Sequence, residues 1–188
     1  MKSVLSWSSV VVICMLLLGC SDSDDVKEVK RNYFKIGETE YEIEAGILEK
    51  FVKEDYYDGY NIDLTFISNG LEIVTDEKKG SELIGRGKAI YFEMYSEQEN
   101  MLTPGKYNKV KDVRFSEYTI STAISLVYDS AKDGIEQEDS IGTGVVSVSY
   151  DKGKYVIIID CENVDGKKVT GYFEGELDLF DWSKVIDD

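Results

Sequence analysis

Apolar and polar side chains alternate along most of the chain after residue 33. In residues 60–68 (YNIDLTFIS) the apolar face carries Tyr60, Ile62, Leu64 and Phe66, and the polar face carries Asn61, Asp63 and Thr65. A period of two residues is typical of a β-strand with one buried face. Residues 88–95 and 118–128 repeat the pattern, so the sequence predicts β-sheet rather than helix.

The clearest strands lie near the C-terminus, in GVVSVSY, KYVIIIDCE and KVTGYFEGELDL. The connection between the second and third contains Asp165-Gly166, a strong hairpin signal. We therefore predict a three-stranded antiparallel meander over residues 144–179, in which Gly171 and Gly175 mark a bulge or a close backbone approach. The predicted core residues of this meander are Val146, Val148, Tyr155, Ile157, Ile159, Val169 and Phe173.

The rest of the chain fits the same class of fold. Residues 33–44 predict a hairpin that turns at Gly37-Glu38, whereas residues 45–60 fit a short helix, a packed loop or an irregular strand. Residues 76–86 and 129–141 are interpreted as polar loops. Roughly nine or ten strands in residues 33–188 indicate a single all-β domain, an antiparallel β-sandwich. The alternative is a lipocalin-like β-barrel, and Trp182 is a candidate plug at one end.

The N-terminus has the organisation of a secretory signal. Lys2 precedes the apolar run VVVICMLLL at residues 10–18, which is too short to span a bilayer core as a helix. Leu17-Leu18-Gly19-Cys20 resembles the lipobox of bacterial lipoproteins. That resemblance implies that residues 1–19 are a cleaved lipoprotein signal peptide and that Cys20 carries the lipid.

Acidic residues follow the cysteine at once. Ser21-Asp22-Ser23-Asp24-Asp25 resembles the acidic tether of surface lipoproteins of the bacteroidete type, and the pattern of the β-rich remainder is similar to that group as well. The resemblance implies that residues 20–32 are a lipidated cysteine and flexible tether. It also implies an anchor in the outer membrane that faces the cell exterior. The alternative is a solvated spacer on a protein that faces the periplasm.

Composition excludes several classes of function. The chain carries 21 basic and 37 acidic residues, a net charge of −16, which repels nucleic acid. It contains no histidine, which excludes Ser-His-Asp and Cys-His catalysis and histidine-rich zinc sites. Cys161, in an apolar strand, is interpreted as a buried structural thiol. We expect no cofactor and no enzymatic activity.

A cluster of tyrosines and polar residues is the candidate ligand-binding site. Flat aromatic faces beside carboxylates and amides suit a sugar ring, and tyrosine is also frequent in protein interfaces. Ordinary strand-edge packing explains the same residues. The cluster consists of Asp55, Tyr56, Tyr57, Asp58, Tyr60 and Asn61.

An acidic segment is a weak candidate for calcium, because oxygen ligands are plentiful there. It lacks the ligand spacing of an EF-hand, so a solvated acidic loop is the simpler interpretation. Its carboxylates are Asp129, Asp133, Glu136, Glu138 and Asp139.

These observations favour a non-catalytic binding or adhesion module on the cell surface, with a glycan or a protein as its ligand. The alternative is a structural accessory subunit of a fimbrial or transporter-associated surface assembly. A glycosidase that uses two carboxylates is the third hypothesis, and it requires a cleft in which two acids have different pKa values.

Overall fold

The computed structural model describes residues 30–111, 115–132 and 134–185. These residues form eleven strands and two 3₁₀ turns, at Ser130–Lys132 and Trp182–Lys184. The strands are β1 (Tyr33–Ile36), β2 (Thr39–Lys50), β3 (Tyr60–Ser68), β4 (Leu71–Asp76), β5 (Gly80–Ser96), β6 (Gly105–Lys109), β7 (Thr119–Asp129), β8 (Gly134–Asp151), β9 (Lys154–Asn163), β10 (Lys168–Gly175) and β11 (Asp178–Asp181). Within this part of the chain, no helix has the length and apolar character needed to cross a membrane.

The eleven strands form one mixed sheet, which confirms the all-β prediction. The hydrogen-bonded order is β1-β10-β9-β8-β6-β7-β5-β3-β2-β11, and β4 pairs with β5. Strand β1 pairs with β10 along one edge and with β2 along its other edge. The strand order from β1 through β10 to β2 therefore closes on itself at β1. Two pairings are parallel, β6 with β7 and β11 with β2.

Opposite parts of this curled sheet pack face to face across one main core. Phe66 on β3 and Phe173 on β10 belong to strands that are not paired, yet their ring centroids lie 4.8 Å apart. This packing is consistent with the predicted sandwich. The sheet is not a clean barrel, because β4 lies off the main path and β6 pairs with both β7 and β8.

The strongest sequence predictions are confirmed. Residues 33–44 form the β1–β2 hairpin, with Gly37 at φ +58° in the turn. Strands β8, β9 and β10 form the antiparallel meander, and all seven of its predicted core residues are buried. Gly171 is a close approach, because a Cβ there would lie 3.0 Å from the carbonyl oxygen of Tyr33.

Residues 45–50 take the irregular-strand alternative: they continue β2 after a register shift between Ile43 and Ala45, and both faces are covered, so Ile47 and Leu48 are both buried. Two other segments differ from their predictions. Most of residues 76–86 and 129–141 are strand rather than loop. Their polar side chains are compatible with strands because backbone pairing, to β4 and to β7 respectively, holds them in place.

The prediction that β3 has one solvated face is wrong. Eight of its nine residues are buried, including the polar residues Asn61, Asp63 and Thr65. Trp182 is not an end plug either, since its indole packs on Gly80 and stacks on Phe51 with a centroid distance of 5.8 Å. The cause in both cases is a second layer of chain over the outside of the sheet.

Candidate binding site

A hairpin arm, residues 71–85, covers the outside of the sheet. It consists of β4 and the first part of β5, whose second part pairs with β3 and β7. The junction is tight: Gly85 has φ +98°, and a Cβ there would lie 2.2 Å from the carbonyl oxygen of Gly70. We call the side of β2, β3, β5 and β7 that points away from the main core the outer face. Glycine at position 85 lets β5 leave the main sheet and turn the arm over this outer face.

A second apolar cluster forms beneath the arm. Ile67, Leu71, Ala89 and Leu126 are buried in it, and Ile73 and Leu83 of the arm pack against them. Beside this cluster lies a cleft of about 310 Å³, a volume within the range of small-molecule sites. Its lining is mainly apolar but includes Glu49, Thr65, Tyr91 and Trp182.

Three carboxylates form a row across the outer face next to the cleft. Glu49 on β2 lies opposite Asp63 on β3, which lies opposite Glu93 on β5. Directly opposed side chains on paired strands have Cβ atoms about 4.5–5.5 Å apart, and like charges at that spacing repel. We call these three residues the acidic row.

Neighbouring hydroxyl and indole groups donate hydrogen bonds to each member of the acidic row. The Tyr91 hydroxyl donates to Asp63 Oδ2 at 2.5 Å, and the Tyr95 hydroxyl donates to Glu93 Oε1 at 2.8 Å. Glu49 Oε1 accepts from Trp182 Nε1 at 2.9 Å and from the Ser81 hydroxyl. Both bonds to Glu49 fall on Oε1, which leaves Oε2 for another donor.

Two acceptors in this region have no hydrogen-bond partner among the described residues. They are Asp63 Oδ1 and Asn61 Oδ1, on side chains that are only 4% and 7% exposed. The Asn61 amide is oriented by its nitrogen, because Nδ2 donates to Glu93 Oε1 and to the Tyr95 hydroxyl, at 3.4 Å each. Buried acceptors without a donor are costly, so both atoms lower the stability of the fold.

The row is also short of positive charge. Within the described ranges, no lysine or arginine forms an ion pair with Glu49, Asp63 or Glu93. Lys50 is engaged by Asp181 at 2.9 Å, and the amine of Lys109 donates to two backbone carbonyls.

Burial is the main cause that raises the pKa of Asp63 well above its ordinary value, and the charges of Glu93 and Glu49 raise it further. The hydrogen bond from Tyr91 opposes this rise. Burial also raises the pKa of the Tyr91 and Tyr95 hydroxyls, so both remain protonated donors at neutral pH. The site therefore contains carboxylates in different environments, and Asp63 ionises at a higher pH than an exposed aspartate does.

The structure divides the tyrosine cluster predicted from sequence. Asn61 lies beside the acidic row, and Tyr57 packs on Tyr95 with a centroid distance of 5.3 Å. Tyr56 is 66% exposed and contacts Tyr57 and Phe115. The remaining members do not reach the row. Asp55 and Asp58 are exposed, and the amine of Lys53 lies 4.4 Å from the centroid of the Tyr60 ring.

The acidic segment considered for calcium is largely neutralised by basic side chains. Asp129 lies 3.4 Å from Arg86 Nε, and Glu136 lies 2.7 Å from the Lys132 amine. Asp139 is 4.0 Å from the Lys88 amine, Glu138 is exposed, and Asp133 lies outside the described residues. In the described part of the chain, no three acids or cysteines converge in a way that could hold a metal ion.

Cys161 is buried, and burial raises the pKa of its thiol to about 11. It therefore stays protonated and unreactive at neutral pH, which agrees with a structural role.

Cys20 and the tether up to residue 29 lie outside the described residues.

No family model, curated protein or solved structure matches this chain. The candidate site therefore depends on its own geometry. The sequence carried only a faint indication of it, namely one acid inside each of three apolar strands, in ILEKF, NIDLT and YFEMY. Strand register was needed to show that these acids are neighbours.

Proposed function

We propose that this protein is an outer-membrane lipoprotein, anchored through Cys20, whose β domain is a non-catalytic binding module. The cleft beneath the arm is its ligand site. The observation that carries the proposal is the combination of mainly apolar cleft walls with the polar groups of Glu49, Thr65 and Tyr91 in the same lining. Binding sites for organic ligands combine apolar surface with a few convergent polar groups in this way.

A surface location is supported by the lipobox-like Leu17–Cys20 and the acids behind it. Two or three acyl chains hold a protein stably at a membrane, because each buried methylene contributes about 0.8 kcal/mol. We expect Cys20→Ser to abolish incorporation of labelled palmitate and to leave the precursor unprocessed. Undiminished labelling of this variant would contradict the anchor.

Binding through the cleft can be tested with two substitutions on one strand of the arm. Leu83 lines the cleft, whereas its neighbour Ile84 is 41% exposed outside the cleft lining. Leu83→Trp should fill the cleft and abolish retention of ligands on glycan arrays and on purified envelope proteins. Ile84→Trp, the matched control, should retain them as the wild type does. Equal retention by both variants, or none by the wild type, would refute this function.

The structural hypothesis of an accessory subunit has one specific observation in its favour. Among the described strands, β4 pairs only with β5 and β11 pairs only with β2, and both line a groove of about 730 Å³. A strand from a partner could add to such an edge. If the protein co-migrates with a stoichiometric partner in native detergent extracts, and Leu83→Trp does not change this, the accessory-subunit hypothesis would be favoured over ligand binding in the cleft.

Catalysis by the acidic row is disfavoured by its burial. A glycosidase needs both carboxylates in contact with the scissile bond or its attacking water. Asp63 is almost completely buried and one of its oxygens is occupied by Tyr91. A binding role requires only that a ligand group reach the edge of the acidic row. Glu49, which lines the cleft, is that edge.

A further inference from the structure

The cleft lining carries negative charge but no positive charge. Glu49 and Glu82 both line the cleft, and none of the lining residues is basic. Glu49 Oε1 accepts the two hydrogen bonds from Trp182 and Ser81, so Glu49 Oε2 can accept from a ligand. Glu49 also lies directly opposite the buried Asp63, which adds a second carboxylate behind it. A group that brings donors rather than acceptors therefore suits this end of the cleft.

Electrostatics add a second requirement, which is positive charge. The three carboxylates of the acidic row are adjacent and partly or wholly buried, and none of them forms an ion pair in the described part of the chain. Only the far end of the row has a basic neighbour: the charge of Glu93 opposes the lowering of the pKa of Lys109 by burial. Repulsion between them is relieved either by a proton on Asp63 or by a cation. Because no group of three acids converges as metal ligands do in these residues, an organic cation fits better than a metal ion.

We propose that the cleft binds a ligand with a protonated primary amine attached to an apolar group. This inference rests on the proposed function and names its ligand chemistry. The ammonium lies at the cleft end of the acidic row, where it donates to Glu49 Oε2 and is attracted by the charge of the neighbouring, buried Asp63. An ammonium group has three donors, no acceptor and a positive charge, which matches a cleft lined by the carboxylates of Glu49 and Glu82 and by no basic side chain.

The apolar part of the ligand occupies the cleft beneath the arm. Its walls include Ile47, Ile73, Leu83, Ile124 and Leu126. The rings of Tyr91 and Trp182, which also line the cleft, are held by their hydrogen bonds to Asp63 and Glu49. Electron-rich rings close to a cation stabilise it further, so the aromatic residues and the carboxylates act on the same group.

The test uses the full-length protein in a nonionic detergent and isothermal titration calorimetry. The probes are 2-phenylethylamine, which is cationic at pH 7, and 2-phenylethanol, its neutral analogue of similar shape. We expect the amine to bind at least about tenfold more tightly, because hydrogen bonds to charged groups exceed those to neutral ones by about this factor. N-acetyl-lysine amide, as a third probe, distinguishes a lysine side chain of a peptide from a free aromatic amine.

Variants of the row provide the decisive comparison. Asp63→Asn and Glu49→Gln should each reduce the preference for the amine towards unity. Glu42→Gln, which removes one charge from an exposed side chain of the same strand β2, should leave it unchanged. Leu83→Trp should abolish binding of both probes.

The outcomes separate this inference from the proposed function. If ligand retention is sensitive to Leu83→Trp but 2-phenylethylamine binds no better than 2-phenylethanol, the inference is wrong and the proposed function stands. A preference that survives both Asp63→Asn and Glu49→Gln also overturns it. If no ligand or probe responds to Leu83→Trp, both proposals fail.

Discussion

Replacing Phe173 with alanine should lower the free energy of unfolding by about 3–5 kcal/mol, the range measured for large aromatic residues removed from cores. Phe173 is 6% exposed on β10, and its ring lies against Phe66 on β3. The two rings join opposite parts of the sheet, so the cavity left by the substitution cannot close without moving strands. Because domains of this size have total stabilities of about 5–15 kcal/mol, the loss would be a large fraction of the whole.

Tyr172 offers a matched control on the same strand. Its side chain points to the opposite face, where its hydroxyl donates to Glu174 at 2.6 Å. Tyr172→Ala should cost about 1 kcal/mol, as usual for a partly exposed position. Urea unfolding followed by circular dichroism measures both variants, and equal losses would show that β10 does not join the two layers as described.

Replacing Asp63 with asparagine should stabilise the fold at pH 8 by about 1–3 kcal/mol, the usual cost of an unsatisfied buried polar group. The amide oxygen of asparagine can still accept from the Tyr91 hydroxyl, as Asp63 Oδ2 does. The amide nitrogen replaces the unpartnered oxygen and brings donors next to Glu49 and Glu93. The same variant should lose its preference for an amine, so stability and binding change in opposite directions.

The stabilisation should depend on pH with a definite sign. The pKa of Asp63 is raised in the folded protein, whereas an unfolded aspartate has a pKa of about 3.9. Below the unfolded value the carboxyl is protonated in both states. As the pH rises towards the folded pKa, the unfolded state ionises first, and the wild type loses stability relative to the variant.

Unfolding titrations at pH 4, 6 and 8 test this expectation. The advantage of Asp63→Asn should be smallest at pH 4 and largest at pH 8. Glu42→Gln, with the same change of charge at an exposed position, should show no comparable trend. An advantage that is constant across this range would indicate that ionisation of Asp63 is not the cause.

Local sequence patterns are sufficient to predict a strand and its pairing where the strand has one buried face and its neighbour in the sheet is also its neighbour in sequence. The β8–β9–β10 meander is the example: its alternation and its turns are local, and all of its predicted core residues are buried. The β1–β2 hairpin was predictable for the same reason.

The candidate site could not be predicted in this way, because it depends on long-range pairing. Asp63 was interpreted as part of a solvated face, since a strand that alternates does not reveal what covers its polar side. The arm and the residues around Trp182 provide that cover, and Glu49 and Glu93 reach Asp63 only through the register of three strands. Of the tyrosine cluster, only Asn61 lies at the row, because the chain turns before β3 and exposes Asp55 and Asp58.

The sequence by itself determined the fold class, the β1–β2 hairpin, the C-terminal meander and its core, because period-two alternation and turn residues act over a few positions. The tertiary structure alone decided that the sheet curls into two packed layers, that an arm turns at Gly85 to cover the outer face, and that three acids become neighbours. The physical reason is that burial and electrostatic repulsion depend on which segments meet in space. Segments far apart in the chain meet through strand pairing, and pairing register is not encoded in any single strand.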